Sequence, residues 1–223
     1  MIAEENLSNN YKPQVSISNA NVLLLIGKLM KQTVPNFKSY LISDFYKKST
    51  LNEDDFTQIF IEQAQILIRN HDFPFNINGQ YRDIYNRSKG FSDFYFYPNE
   101  QHVSTGSFFS VESKRLPSPE KSREKEYVIG DKNNGGIERY KTEKHGKGLN
   151  DCGILGFVEK ENSNHWKGTI NSWIKDLAEN DKNWNNDEIL SEVESNSDFC
   201  FLESIAHRIS DDINLSHLWV TVN

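Results

Sequence analysis

Cysteine is scarce, with two in 223 residues. That count excludes a disulfide scaffold and a zinc site built on several thiolates. Long apolar runs are missing as well. The longest, residues 22–26, is far too short to cross a bilayer, so no membrane association is expected. The chain opens with no charged-then-apolar leader, so the expectation is a soluble, cytoplasmic protein in a reducing compartment. Excess positive charge is absent too. The net charge of -7 argues against a general nucleic-acid coat protein. No G-x-S-x-G elbow occurs, and the Gly135-Gly136 pair is not part of a nucleotide-binding loop. What is present suffices for a core. Hydrophobic residues make up 36% and aromatics 12%, which excludes global disorder.

The charge is unevenly spread. Residues 112–147 carry ten Lys and Arg against seven acids, whereas residues 148–223 carry five against fourteen. A basic island thus sits in an acidic chain, although a lysine-rich surface loop gives the same count.

Hydrophobic spacing predicts the elements. Val22, Leu23, Ile26, Leu29 and Met30 recur at helical intervals after the caps Ser18 and Asn19, with Pro35 beyond the helix end. A polar leader, residues 1–10, precedes them. A second helix starts near Asn52 with Asp54 and Asp55 in its first turn. Its apolar face carries Phe56, Ile59, Phe60, Ala64, Leu67 and Ile68. The aromatic run over 91–97 and the segment 106–114 read as two strands of an antiparallel hairpin. Further elements are a helix over 137–144, a buried strand over 153–158 and a helix over 166–178. A polar acidic loop is expected over 180–197, then strands over 199–209 and 215–222. This order predicts an α/β fold, a mixed central sheet flanked by helices. Residues 1–51 form a helical extension packed on the main unit, residues 52–223.

Polar groups interrupt the predicted hairpin. Asp93 lies inside the aromatic strand, and Glu112 and Lys114 lie at the end of the next. Residues two apart on a strand share a face, so Glu112 and Lys114 project together while Ser113 faces away. If the strands pair, Asp93 approaches Glu112. Two carboxylates and an ammonium on one sheet face are costly to bury unless they bind something. Mg²⁺ suits them, since it takes oxygen ligands and needs only one or two protein carboxylates. Glu112-Ser-Lys114 is the only Asp/Glu-x-Lys triplet in the chain. Two polar residues on an exposed edge strand are the alternative, but Phe108, Phe109 and Val111 mark the strand as internal.

Asp93 on one strand followed by Glu112-Ser-Lys114 on the next resembles the core motif of the PD-(D/E)XK nuclease superfamily, over about residues 52–178. Ser92 stands where that motif has its proline. The resemblance implies a restriction-endonuclease-like core with Asp93, Glu112 and Lys114 as catalytic residues. Asp93 and Glu112 would bind Mg²⁺ or Mn²⁺, and Lys114 would assist the attacking water. A lysine in that role acts on the reaction, so its removal is expected to spare the fold. Some members add a carboxylate from the preceding helix, for which Glu62 is the candidate. DNA is the implied substrate. More loosely, residues 135–140 and 152–157 resemble segments of small nucleases of bacterial defence and restriction systems, which implies a protein partner. Arg115, Arg139, Lys141 and Lys144 are candidates for backbone contacts, with a solvated helix face as the alternative. A non-catalytic scaffold with an acidic partner-binding surface over 176–212 is the competing function. The histidines 145, 165, 207 and 217 lack zinc-ligand spacing, and both cysteines read as core thiols.

Overall fold

A computed structural model describes residues 19–43, 51–82, 90–100 and 103–222. Its framework is a seven-stranded mixed sheet in the order β1-β2-β3-β4-β7-β6-β5. The strands are β1 (Phe75–Arg82), β2 (Phe91–Pro98), β3 (Phe109–Leu116), β4 (Asp151–Val158), β5 (Ser191–Ser195), β6 (Phe199–His207) and β7 (Asp212–Thr221). The centre is parallel, β4 lying between β3 and β7, and every outer pairing is antiparallel. From Cys152 to Val158, β4 is buried without a break. That explains its continuous apolar sequence, since a central parallel strand is covered on both faces.

Helices α1 (Asn19–Ile42) and α2 (Glu53–Asn70) cover one face. The start of α2 is fixed by a reciprocal cap: Asn52 Oδ1 accepts from the Asp55 amide at 2.9 Å, and Asp55 Oδ2 accepts from the Asn52 amide at 2.9 Å. On α1, Ile26, Leu29, Met30, Val34, Phe37 and Leu41 are all buried. The Phe37 ring lies 5.8 Å from Phe60 and 5.7 Å from Phe157, so α1 shares its core with α2 and the sheet. Helices α3 (Gly136–Lys141) and α4 (Ser163–Asn180) cover the opposite face. There Ile137, Tyr140, Trp166, Ile170, Trp173 and Ile174 meet Ile154, Leu202 and Trp219.

Three local features differ from the sequence reading. Pro35 does not end α1, which continues to Ile42. An internal proline costs about 3 kcal/mol. Burial of Phe37 and Leu41, at about 1.5–3 kcal/mol each, offsets it. The cap residue Ser18 and the polar leader lie outside the described residues. Second, a strand, β1, precedes the aromatic hairpin; Phe75 and Ile77 are its only deeply buried side chains, too short an alternation to stand out. Third, residues 191–195 of the expected acidic loop form β5. All five are exposed, so no apolar pattern announces the strand. Its acids are used: Glu194 pairs with Lys31 at 2.6 Å and Glu192 with Lys167 at 2.7 Å. Charged side chains on an edge strand also discourage further strand addition. Among the described residues, no helix is long and apolar enough to cross a membrane.

Candidate active site

The ladder between β2 and β3 runs from Phe96 opposite Phe109 to Phe94 opposite Val111. One step further, the register sets Asp93 against Glu112. Phe94 and Val111 face the α1–α2 core, so strand alternation turns Asp93, Glu112 and Lys114 to the other side. Past Val111 the pairing changes character: the Ser113 amide donates to Asp93 Oδ2 at 2.6 Å. A side-chain carboxylate serves that amide, and Asp93 is thereby pinned beside β3.

Glu112 is fully buried. Its Oε1 accepts from Lys114 Nζ at 2.8 Å and from Arg139 Nη1 of α3. Its Oε2 lies 3.0 Å from His145 Nδ1 but makes no hydrogen bond. Burial alone would raise this carboxyl, but Lys114, then His145 and Arg139, pull it down to about 2. Lys114 Nζ also donates to the Ser113 carbonyl at 2.8 Å and approaches Glu53 Oε1 at 3.5 Å. Burial would lower its pKa, yet Glu112, Glu53 and Asp93 hold it above the ordinary lysine value. Asp93 has the opposite fate. Burial and then the Glu112 carboxylate push it up to about 7, against the pull of Lys114.

Glu53 was not anticipated. It is the first residue of α2, and its Oε2 accepts from the Arg115 amide at 3.0 Å. Burial raises its pKa, with Lys114 opposing. Thus α2 does supply a carboxylate, but from its first turn. Glu62 is exposed and accepts from Gln58 Nε2 at 2.9 Å along the helix surface. Nine residues at 1.5 Å each put about 13 Å of helix between the two acids. The acid-rich first turn behind Asn52 was the available signal. His145 gave none, because its position depends on a distant glycine. A Cβ on Gly90 would stand 2.4 Å from the His145 ring, so only glycine admits the imidazole there. The Tyr140 ring packs edge-on against it. A Cβ on Gly136 would likewise stand 2.8 Å from the Tyr127 carbonyl, close to the Lys114 stem.

The four expected backbone-contact residues are otherwise engaged. Arg139 turns inward to Glu112 and belongs to the cluster. Arg115 forks onto Glu159, donating from Nη2 to Oε2 at 2.7 Å and from Nε to Oε1. Lys141 is buried on Glu188 and donates to the His207 carbonyl at 3.1 Å. Lys144 donates to the carbonyls of Lys132 and Asn133. Half of the ten basic residues of the island are therefore engaged in the structure, with Lys141 on Glu188 and Arg115 on Glu159 from the acidic third, while Lys121, Arg123, Lys125, Lys132 and Lys147 are exposed.

No protein-family model, no curated protein and no solved structure matches this chain.

A second polar centre is buried. Trp219 Nε1 donates to the Tyr127 hydroxyl at 2.8 Å, and that hydroxyl and Ser204 Oγ hydrogen-bond the two ring nitrogens of His217 at 2.8 and 2.9 Å. Burial lowers the His217 pKa to about 3 and keeps the ring neutral. Cys152 and Cys200 are buried free thiols, as expected of core residues.

Proposed function

We propose that this chain is a metal-dependent nuclease of the PD-(D/E)XK type, with a restriction-endonuclease-like core, that hydrolyses phosphodiester bonds of DNA. The observation that carries the reading is Asp93 set against Glu112 across β2 and β3, with Lys114 bonded to Glu112 and Glu53 closing the group. The donor set fits a hard divalent cation such as Mg²⁺ or Mn²⁺. Burial and the adjacent Glu112 carboxylate push the Asp93 pKa up to about 7. Glu112 Oε2 is buried and faces His145 Nδ1 at 3.0 Å, outside hydrogen-bond geometry. Among the described residues no group of three metal-ligating side chains stands ready-made. Two carboxylates suffice for an ion that keeps most of its waters.

Asp93 and Glu112 would hold the ion, which when bound lowers the pKa of a water and neutralises charge on the phosphate. Lys114 supplies a fixed ammonium beside the attacked phosphate, where charge develops. Glu53 orients Lys114 and ties α2 to the end of β3 through the Arg115 amide. The choice of DNA and membership of a bacterial anti-phage or restriction assembly follow the sequence resemblance.

A second reading has its own observation. Glu112 Oε1 is already served by both Lys114 and Arg139, so the cluster can stand as a closed ion-pair network without metal. This favours a non-catalytic scaffold of such an assembly. Cleavage of plasmid and single-stranded DNA separates the two. The protein, purified with its neighbouring gene products, should cut in Mg²⁺ or Mn²⁺, and Lys114→Ala should not. Equal cutting by both removes Lys114 from the chemistry. A wild-type complex that never cuts, while its activity in cells survives Lys114→Ala, establishes the scaffold.

A further inference from the structure

The aromatic strand does more than frame Asp93. Phe91, Asp93, Tyr95 and Tyr97 alternate along β2 and share the face that carries the carboxylate cluster. Phe96 and Phe94, between them, fill the α1–α2 core. The aromatic side chains beside Asp93 have no such duty. Phe91 is 56% exposed, and Tyr95 and Tyr97 are half-buried. Tyr97 and Tyr95 lie 5.3 Å apart between ring centroids and 32° from parallel; Tyr95 and Tyr81 lie 4.5 Å apart and 35° from parallel. Tyr81 joins them from β1 next to Gln80, whose positive φ of 50° interrupts the strand's regular alternation. On the other side of Asp93, the Arg82 guanidinium sits over the Phe91 ring at 5.8 Å.

We propose that this row is a base-stacking platform that feeds single-stranded nucleic acid across Asp93. The proposal deepens the nuclease reading and rests on it for the direction of the strand. Aromatic side chains flank the carboxylate at two-residue steps, roughly 6.6 Å of strand each, with the Tyr97, Tyr95 and Tyr81 rings also packed on one another. Such rings engage the faces of bases, and only unpaired bases offer free faces; in a duplex they are stacked on one another. Arg82 supplies the one kind of charge that suits both a phosphate and a base face. Stacking also resolves a difficulty of charge. A chain of net charge -7, in which five of the island's ten basic residues are taken up by internal contacts, has a limited electrostatic hold on a polyanion.

The test is binding, measured apart from cleavage. Fluorescence anisotropy in a chelator would follow labelled oligothymidylate and oligouridylate of about 20 nucleotides, and a duplex of the same length. Wild type should prefer a single strand, and the comparison of the two single strands assigns DNA or RNA. Tyr95→Leu/Tyr97→Leu should weaken it roughly tenfold or more, while Tyr95→Phe/Tyr97→Phe binds as wild type. Phe91→Ser, at an exposed position outside the core, should weaken it several-fold without lowering the melting temperature. Single-strand affinity unchanged in the Leu pair and in Phe91→Ser, a preference for duplex, or no binding of either single strand overturns the platform. Binding that follows the rings, from a protein that cuts nothing with metal, supports the platform and refutes the nuclease.

Discussion

Lys114 Nζ lies 2.8 Å from Glu112 Oε1, two residues away on the same strand, and both side chains are buried. Each charge is the other's main compensation. Removing one partner of such a pair leaves an uncompensated buried charge, which costs about 3–5 kcal/mol. Lys114→Met should therefore lower unfolding free energy by about that amount in urea denaturation. The matched control is Lys167→Met, whose pair with Glu192 is solvent-exposed and should cost under about 1 kcal/mol. This departs from the sequence-based expectation that losing the lysine spares the fold. Equal midpoints for the two variants would show that Arg139 and His145 alone satisfy Glu112.

The contrast shows what the sequence could reveal. The face shared by Asp93, Glu112 and Lys114 was legible, because strand alternation and one hairpin determine it. The helices were legible where apolar spacing was long, as in α2. β1 and β5 were not, since one has two deeply buried positions and the other none. Arg139 was visible as a base on a short helix, but its inward direction depends on the loop that seats α3 beneath β3. His145 reaches Glu112 only because residue 90, far along the chain, has no side chain. Contacts of that kind exist only once the sheet is assembled.

Glu53 and Glu62 offer a test on one helix. Glu53→Gln keeps the shape but removes the charge facing Lys114. It should lower cleavage roughly tenfold or more through loss of lysine positioning. Glu62→Gln, on the exposed face, should leave cleavage unchanged. Rates measured at saturating Mg²⁺ check this, and the reverse pattern would restore Glu62 as the helix carboxylate.

Asp93 and Glu112 impose opposite pH dependences. Asp93 has its folded pKa raised to about 7 from an ordinary 3.8. Its stabilising contribution is complete below the unfolded value and is lost as pH rises through 7. Glu112, lowered to about 2 from 4.5, contributes above its unfolded value and loses this as pH falls toward 2. Asp93 should thus lower the stability of the metal-free protein between about pH 4 and 7, whereas His217, its pKa lowered to about 3 by burial, raises it between about pH 3 and 6.5. Wild type should therefore gain less stability over that window than Asp93→Asn in melting experiments. Metal binding needs the carboxylate, so Mn²⁺ affinity should rise over pH 6–8 in wild type. An affinity independent of pH in that range would remove Asp93 from the metal site.

Arg139 decides between the two functions of the cluster. Its guanidinium and a divalent cation would draw on the same Glu112 carboxylate. In a nuclease the arginine is a competitor that must yield when metal enters, so Arg139→Gln should tighten Mn²⁺ binding several-fold in calorimetry. The cost to the fold should be modest, because Lys114 still neutralises Glu112 and Arg139 is partly exposed. In a closed structural network the same change removes a needed partner. The protein would then lose stability by a few kcal/mol and take up no metal in either form. Tighter metal binding with a small loss of stability identifies Arg139 as a gatekeeper of the carboxylates. A large loss with no binding identifies it as part of a scaffold.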